Sequence, residues 1–256
     1  MVVRRLALLL ALLPALAGCG ASETAAPAGT ETEPPPETTT AAEETTRLVV
    51  YFLRDGKVAP VHREVPQTAA VGTAAVEALL AGPTAEEGEL GITSDFPDGT
   101  RLLGLMVEDG TASVSLSGGD TSTGAPAQLT FTLTQFSTVQ RVAVGEATAT
   151  RADFADLTPI ILVERPALGE AVSSPVQVRG TASVFEATLH VRLVGPGGEE
   201  IRDEVLTASE GAPGRGTFSV EIPFSASGPG TVEAYTLSAA DGSEQHNVQV
   251  RVTLAP

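Results

Sequence analysis

The chain has 256 residues, with 15 basic against 32 acidic side chains, a formal net charge of −17, one cysteine and no tryptophan. That excess of carboxylates repels phosphate backbones and argues against nucleic-acid binding. A single cysteine rules out an internal disulfide, and an aromatic content of 4% argues against a stacking platform for sugars or bases.

Arg4 and Arg5 precede an apolar run from Leu6 to Leu16. The run falls short of the roughly 20 apolar residues that cross a bilayer, and a basic start, short apolar core and small residues before a cut are the parts of a secretory signal peptide. Leu16-Ala17-Gly18-Cys19 closes this region and holds the chain's one cysteine. These four residues resemble a bacterial lipobox. The resemblance implies that residues 1–18 are a lipoprotein signal peptide, that Leu16, Ala17 and Gly18 are read by the signal peptidase, and that Cys19 is acylated. It implies membrane attachment through the lipid on Cys19, at the outer face of the bacterial cytoplasmic membrane. The competing reading is an ordinary signal peptide with an unrelated cysteine. Loss of residues 1–18 removes Arg4 and Arg5 and no acid, so 13 basic and 32 acidic residues remain, formally −19.

Residues 19–46 read as a lipidated, disordered linker. Gly20 to Thr46 holds eight Thr, six Glu, six Ala and four Pro and nothing aliphatic larger than Ala, so it lacks the apolar surface that offsets the entropy of ordering. Its reach runs from roughly 30 Å as a coil to about 80 Å when extended. The Thr-Pro content also permits O-glycosylation.

Structure is expected from Arg47. Leu48 to Leu53 and Val58 to Val65 read as a hairpin around Asp55-Gly56. Val71, Ala75, Val76, Leu79 and Leu80 recur at helical spacing, with Thr68 or Thr73 as caps and Gly82-Pro83 as the stop. Glu86 to Glu89 reads as an acidic turn. Phe96-Pro97-Asp98-Gly99-Thr100 leads to a second hairpin, 101–108 and 111–116, around Asp109-Gly110. From Thr123 to Thr138 the signals conflict. Leu129, Phe131 and Leu133 alternate with threonines as in a strand, whereas Pro126 suits a helix start and Leu129, Leu133 and Phe136 share a helical face. Period alone favours the strand. Val139 to Val144 reads as a strand and Gly145 to Thr158 as a mostly irregular join.

Residues 47–150 resemble the GerMN domain of bacterial sporulation and germination lipoproteins. The matching stretches are Val50-Tyr51-Phe52, Pro60 to Pro66, Leu79-Leu80-Ala81-Gly82-Pro83, Phe96 to Leu102, Asp109 to Leu116 and Thr134 to Val144. The family is α/β and places a helix before its final strand, so the resemblance implies a helix at 126–138.

From Pro159 the texture changes. Ile160–Val163, Val176–Ser183, Ala187–Val194, Ile201–Thr207, Gly216–Phe224, Thr231–Ser238 and Val248–Leu254 are short extended segments at about the ten-residue spacing of a β-sandwich. Turn chemistry at Ser173-Ser174-Pro175, Gly195 to Gly198, Gly228-Pro229-Gly230 and Asp241-Gly242-Ser243 separates them. The expectation for 159–256 is an all-β immunoglobulin-like sandwich. Val163-Glu164-Arg165-Pro166, Val176 to Gly180 and Tyr235 to Val252 resemble the immunoglobulin-like domain of spore-germination proteins, a frequent neighbour of GerMN.

No catalytic constellation emerges. His62, His190 and His246 fall on three separate predicted strands without metal-ligand spacing, so no metal, cofactor or catalytic residue is expected. His62 reads as a surface or edge residue. The carboxylates at Asp95 and Asp98 and at Glu108-Asp109 lack calcium-loop spacing, and Asp-Gly at a hairpin tip has a backbone explanation. The small-polar run Gly118 to Gly124 reads as a solvated connection. The sequence therefore favours a non-enzymatic binding or scaffolding module with envelope proteins or peptidoglycan as partners. Two alternatives remain: a cell-wall hydrolase acting through carboxylates such as Asp95 or Glu108, and a small-molecule receptor with a deep apolar pocket between its domains.

Overall fold

The structure, a computed structural model, describes residues 44–118 and 124–256. The segment expected as a signal peptide, Leu16 to Cys19 and nearly all of the expected linker lie outside those residues.

The α/β half opens with the hairpin β1 (Thr45–Arg54) and β2 (Lys57–Pro66). Asp55 and Gly56 both have positive φ, at 52° and 72°, the geometry that gives a two-residue turn the twist of its strands. Thr45 and Thr46 already pair with Pro66 and Val65, so ordered structure begins inside the segment assigned to the linker, where β-branched threonines extend the ladder. Helix α1 (Val71–Leu80) buries Ala75, Val76 and Leu79. Neither expected threonine caps it. Ala70 occupies the cap position with no side-chain bond, and Thr68 accepts the Ala70 N–H at 3.1 Å ahead of the helix. Gly82, at φ 80°, follows the helix end.

The acidic stretch expected as a turn is a short helix, α2 (Ala85–Glu89). Thr84 and Glu87 form a reciprocal capping box there, with N–H bonds of 3.3 and 2.8 Å. Strand β3 (Ile92–Thr93) adds briefly to β1, giving the order β2-β1-β3. The second sheet has the order β4-β5-β6-β7, from β4 (Leu102–Glu108), β5 (Thr111–Leu116), β6 (Arg141–Val144) and β7 (Ala147–Ala149). The join after Val144 is thus more regular than expected, since β7 is followed by a 3-10 helix at Arg151–Leu157.

Residues 124–133 are helix α3 (Gly124–Leu133), against the period-2 reading and in agreement with the family resemblance. Nine of its ten residues are buried, including Gln128, Thr130 and Thr132. A helix covered on every side has no wet face, so it shows no amphipathic stripe for a sequence pattern to reveal. Leu129 and Leu133 join one core with Val50, Phe52, Val76 and Leu79. Ala127 and Phe131 join another with Val49, Tyr51 and Leu53.

The second half is a sandwich. One sheet has the order β13-β10-β8, from β8 (Ile161–Arg165), β10 (Val176–Ala182) and β13 (Gly216–Ile222). The other has the order β12-β11-β14-β15-β9, from β9 (Ala171–Ser173), β11 (Thr188–Val194), β12 (Glu200–Thr207), β14 (Gly228–Leu237) and β15 (Glu244–Ala255). Alternating side chains from both sheets, among them Val178, Leu189, Val191, Leu193, Phe218 and Val252, fill the space between them. The seven expected segments are present, and β9, three residues long, is an eighth. Gly228-Pro229-Gly230, expected as a turn, opens β14 instead. Ideal Cβ placement at Gly230 would come within 2.8 Å of Leu254, so glycine there permits close strand packing rather than a reversal.

Candidate functional site: the cleft at the junction of the two halves

Between β8 and β9 the chain switches sheets, and in passing it stitches the halves together. The His62 N–H donates to the Leu168 carbonyl at 3.0 Å, and the Leu168 N–H donates to the Pro60 carbonyl at 3.2 Å. Leu162 and Ala167 from the sandwich side share a core with Tyr51, Val49 and Phe131. The described residues accordingly fall in one compact unit.

Arg151 lies at the centre of this seam. Its Nε donates to Thr134 Oγ1 at 2.7 Å and its Nη2 to the Phe131 carbonyl at 3.3 Å. Its Nη1 forms an ion pair with Glu164 on β8. The guanidinium also stacks over Phe131 and Tyr51, 4.7 and 5.4 Å from the ring centroids, using both the planar fork and the flat face particular to arginine. Burial, reinforced by the Glu164 carboxylate, pushes the Tyr51 phenol well above its ordinary range despite the opposing pull of Arg151.

Beside this latch opens a cleft of about 720 Å³. Tyr51, Gln135 and Arg151 form one wall, and the outward face of β8, β10 and β13 forms the other, with Arg165, Gln177, Arg179 and Ser219. Its surface is mixed polar and charged. A second, smaller crevice of about 200 Å³ lies between Pro60 and Ile92 on one side and Leu162, Val163 and Val248 on the other. Neither is the deep apolar pocket that a small-molecule receptor needs.

The residues weighed for catalysis are not assembled into a site. Asp95 Oδ2 accepts the Gly124 N–H at 3.1 Å at the start of α3, and the Asp95 N–H donates to Gln128 Oε1 at 2.8 Å. Asp98 is exposed in the turn before β4, and Glu108 and Asp109 are exposed at the β4–β5 tip. Asp109 and Gly110 have φ of 47° and 75°, which bears out the backbone reason for Asp-Gly. Residues 119–123 of the small-polar loop lie outside the described residues. Among the described residues no group of three or more His, Cys, Asp or Glu side chains is gathered as for a metal ion.

The histidines are dispersed. His62 lies on the edge strand β2, in line with the edge reading, but is half-buried beside the seam with its Nε2 buried without a partner. His246 lies on β15 with φ 55°. His190 stacks on Tyr235 with ring centroids 5.0 Å apart and faces Asp203 at 3.4 Å. Asp203 accepts the Tyr235 hydroxyl. Burial, followed by that bond, pushes the phenol upward, the opposite of what a nucleophilic phenolate requires. Arg192 over the same ring binds Glu233 and Glu244, which completes a structural network on the outer sheet.

An α/β domain is fused through a shared core to an immunoglobulin-like sandwich, with a polar cleft at the seam. The family model described as sporulation and spore germination, Germane, matches residues 49–144. The immunoglobulin-like domain of bacterial spore germination, Gmad2, matches residues 160–243. The chain thus carries a GerMN-type domain followed by an immunoglobulin-like domain of the Gmad type. Among solved structures it is similar to the tandem GerMN domains of the sporulation protein GerM from Bacillus subtilis, at 14% identity over 70% of this chain and 62% of that one, with a TM-score of 0.36. It is also similar to the first GerMN domain of that protein, at 23% identity over 39% of this chain and 81% of that one, TM-score 0.31. A putative lipoprotein from Clostridium perfringens shows 18% identity over 47% of this chain and 98% of that one, TM-score 0.29. The chain thus spans 62% of the length of the tandem GerM structure. No curated protein matches it.

Arg151, Arg165 and Arg179 were not singled out by the sequence reading as binding residues. Arg165 and Arg179 fall within stretches that resemble the immunoglobulin-like family, but nothing local marks an arginine that is placed by contacts between the two halves.

Proposed function

We propose that this protein is a lipid-anchored, non-enzymatic binding or scaffolding module of the bacterial cell envelope. In this reading the lipid on Cys19 holds it at the outer face of the cytoplasmic membrane, and the Gly20–Thr46 region spaces the folded body from the bilayer. Envelope proteins or peptidoglycan are its partners. The observation that carries the reading is the seam: two domains matched to sporulation and germination families share one core and are tied by Arg151, leaving an open polar cleft with no nucleophile aligned to a base. A pre-organised composite surface of this kind suits recognition, because little ordering entropy opposes binding.

The direct test is cosedimentation of the full chain with purified peptidoglycan sacculi, alongside crosslinking to envelope proteins in intact cells. Specific retention or a discrete crosslinked partner supports the proposal. Release of soluble muropeptides by the chain, abolished by Asp95→Asn with Glu108→Gln, would replace it with the hydrolase reading.

A further inference from the structure

In a chain with a formal charge of −17, the cleft is a local inversion. Arg151, Arg165 and Arg179 line it, and Glu164 is the one carboxylate among the lining residues. Arg151 is committed to Glu164. Arg165 and Arg179 remain, and they are direct partners across the β8–β10 ladder. Directly opposed residues of an antiparallel pair share a face, and like charges so placed are destabilising. Arg165 is partly compensated by Glu170 at 3.3 Å. Arg179 is exposed and has no ion pair or side-chain hydrogen bond among the described residues. Its partner on the other flank is Ser219, which supplies a hydroxyl but no charge, and Gln177 adds an amide two residues along the same strand face.

We propose that Arg165 and Arg179 form a carboxylate-binding site, and that its ligand is a carboxylate borne on a hydroxyl- and amide-rich chain, the chemistry of a glycan-peptide. Two guanidinium forks converge on one planar oxyanion through paired N–H donors. The anion also relieves the repulsion between the two arginines. Gln177 and Ser219 offer donors and acceptors to the neighbouring hydroxyl and amide groups, and about 720 Å³ is the scale of a site for a small oligomer. The overall negative charge repels long polyanions such as polyphosphodiesters, so the site selects a ligand of low charge. This assignment rests on the peptidoglycan branch of the proposed function.

The test is calorimetric titration of the full chain, in neutral detergent, with a soluble muropeptide bearing free carboxylates, with the same muropeptide amidated, and with inorganic phosphate. Expected is binding of the free acid that weakens about tenfold or more on amidation and in Arg179→Gln, the scale of one charge-assisted bond. Arg179→Gln should also leave the melting temperature of the unliganded chain unchanged or higher, since it removes a like-charge contact, while losing the ligand-induced rise. Equal binding by Arg179→Gln or by the amidated muropeptide overturns the site, and so does phosphate binding tighter than the muropeptide. If sacculi retain wild type and Arg179→Gln equally, the site is wrong and the peptidoglycan reading stands. If sacculi retain neither, both fall.

Discussion

The backbone N–H of Tyr51 donates to Thr132 Oγ1 at 2.9 Å. β3 pairs with β1 only at Leu53 and Arg54, so earlier on that side β1 presents an uncovered strand edge, and α3 satisfies it with side chains. Gln135 extends the arrangement by accepting from the Val49 N–H at 3.2 Å and donating to the Val49 carbonyl at 2.5 Å. Thr132, which looks like a strand residue in sequence, hydrogen-bonds a strand from a helix.

Thr132→Val keeps the shape and removes the acceptor, leaving the buried Tyr51 N–H unsatisfied. We expect a loss of about 1–3 kcal/mol in unfolding free energy, read from urea denaturation.

Arg151 joins β1, α3 and β8 through one guanidinium. Replacement by Met preserves the stem but strands Glu164 beside Tyr51, and should destabilise by about 2–4 kcal/mol. Combining Arg151→Met with Glu164→Gln should recover part of that loss, because the partly buried carboxylate is then gone. A fully additive double variant would show that the two side chains do not interact.

Gly180 sits where the β8–β10 register shifts. A Cβ there would lie 2.0 Å from the Leu162 carbonyl oxygen and 2.9 Å from the Phe218 ring, a clash with backbone that no rotamer relieves. Gly180→Ala should cost more than about 3 kcal/mol and reshape the adjoining cleft. The melting temperature reads the first effect, and the change in muropeptide affinity reads the second.

His62 gives a pH signature. Burial lowers its pKa from an ordinary 6.5, outweighing the upward pull of Glu170 and Glu64, while Arg47 and Arg165 add to the lowering. The folded chain therefore binds this proton less readily than the unfolded chain, so the contribution to stability is complete above 6.5 and is lost as pH falls through the lower folded value. Denaturation midpoints should drop as pH falls below about 6.5, and the drop should shrink in His62→Gln. An NMR titration placing His62 above 6.5 would contradict the assignment.

Local chemistry made much of this fold legible. Asp55-Gly56 and Asp109-Gly110 set two hairpins because left-handed backbone is needed at both positions, and the sandwich strands were visible through their regular spacing and the turn chemistry between them. The Thr84–Glu87 box was also readable, since Thr-x-x-Glu is a helix-start signal, but the acidic composition suggested a turn. α3 was illegible by period because it is enclosed on every side. β9 is too short to leave a pattern, and its pairing with β15 is set by residues far away in sequence. The cleft arginines belong to that last kind: Arg165 and Arg179 face each other only once two strands 14 positions apart are paired.

Attachment at Cys19 is the claim from which the proposed location and role follow. Metabolic labelling with an alkyne palmitate analogue, followed by membrane fractionation of wild type and Cys19→Ala, tests it most directly. The account predicts a labelled, membrane-bound wild type and an unlabelled variant released from the membrane. An unlabelled wild type, or a Cys19→Ala chain that stays fully membrane-bound, would contradict it.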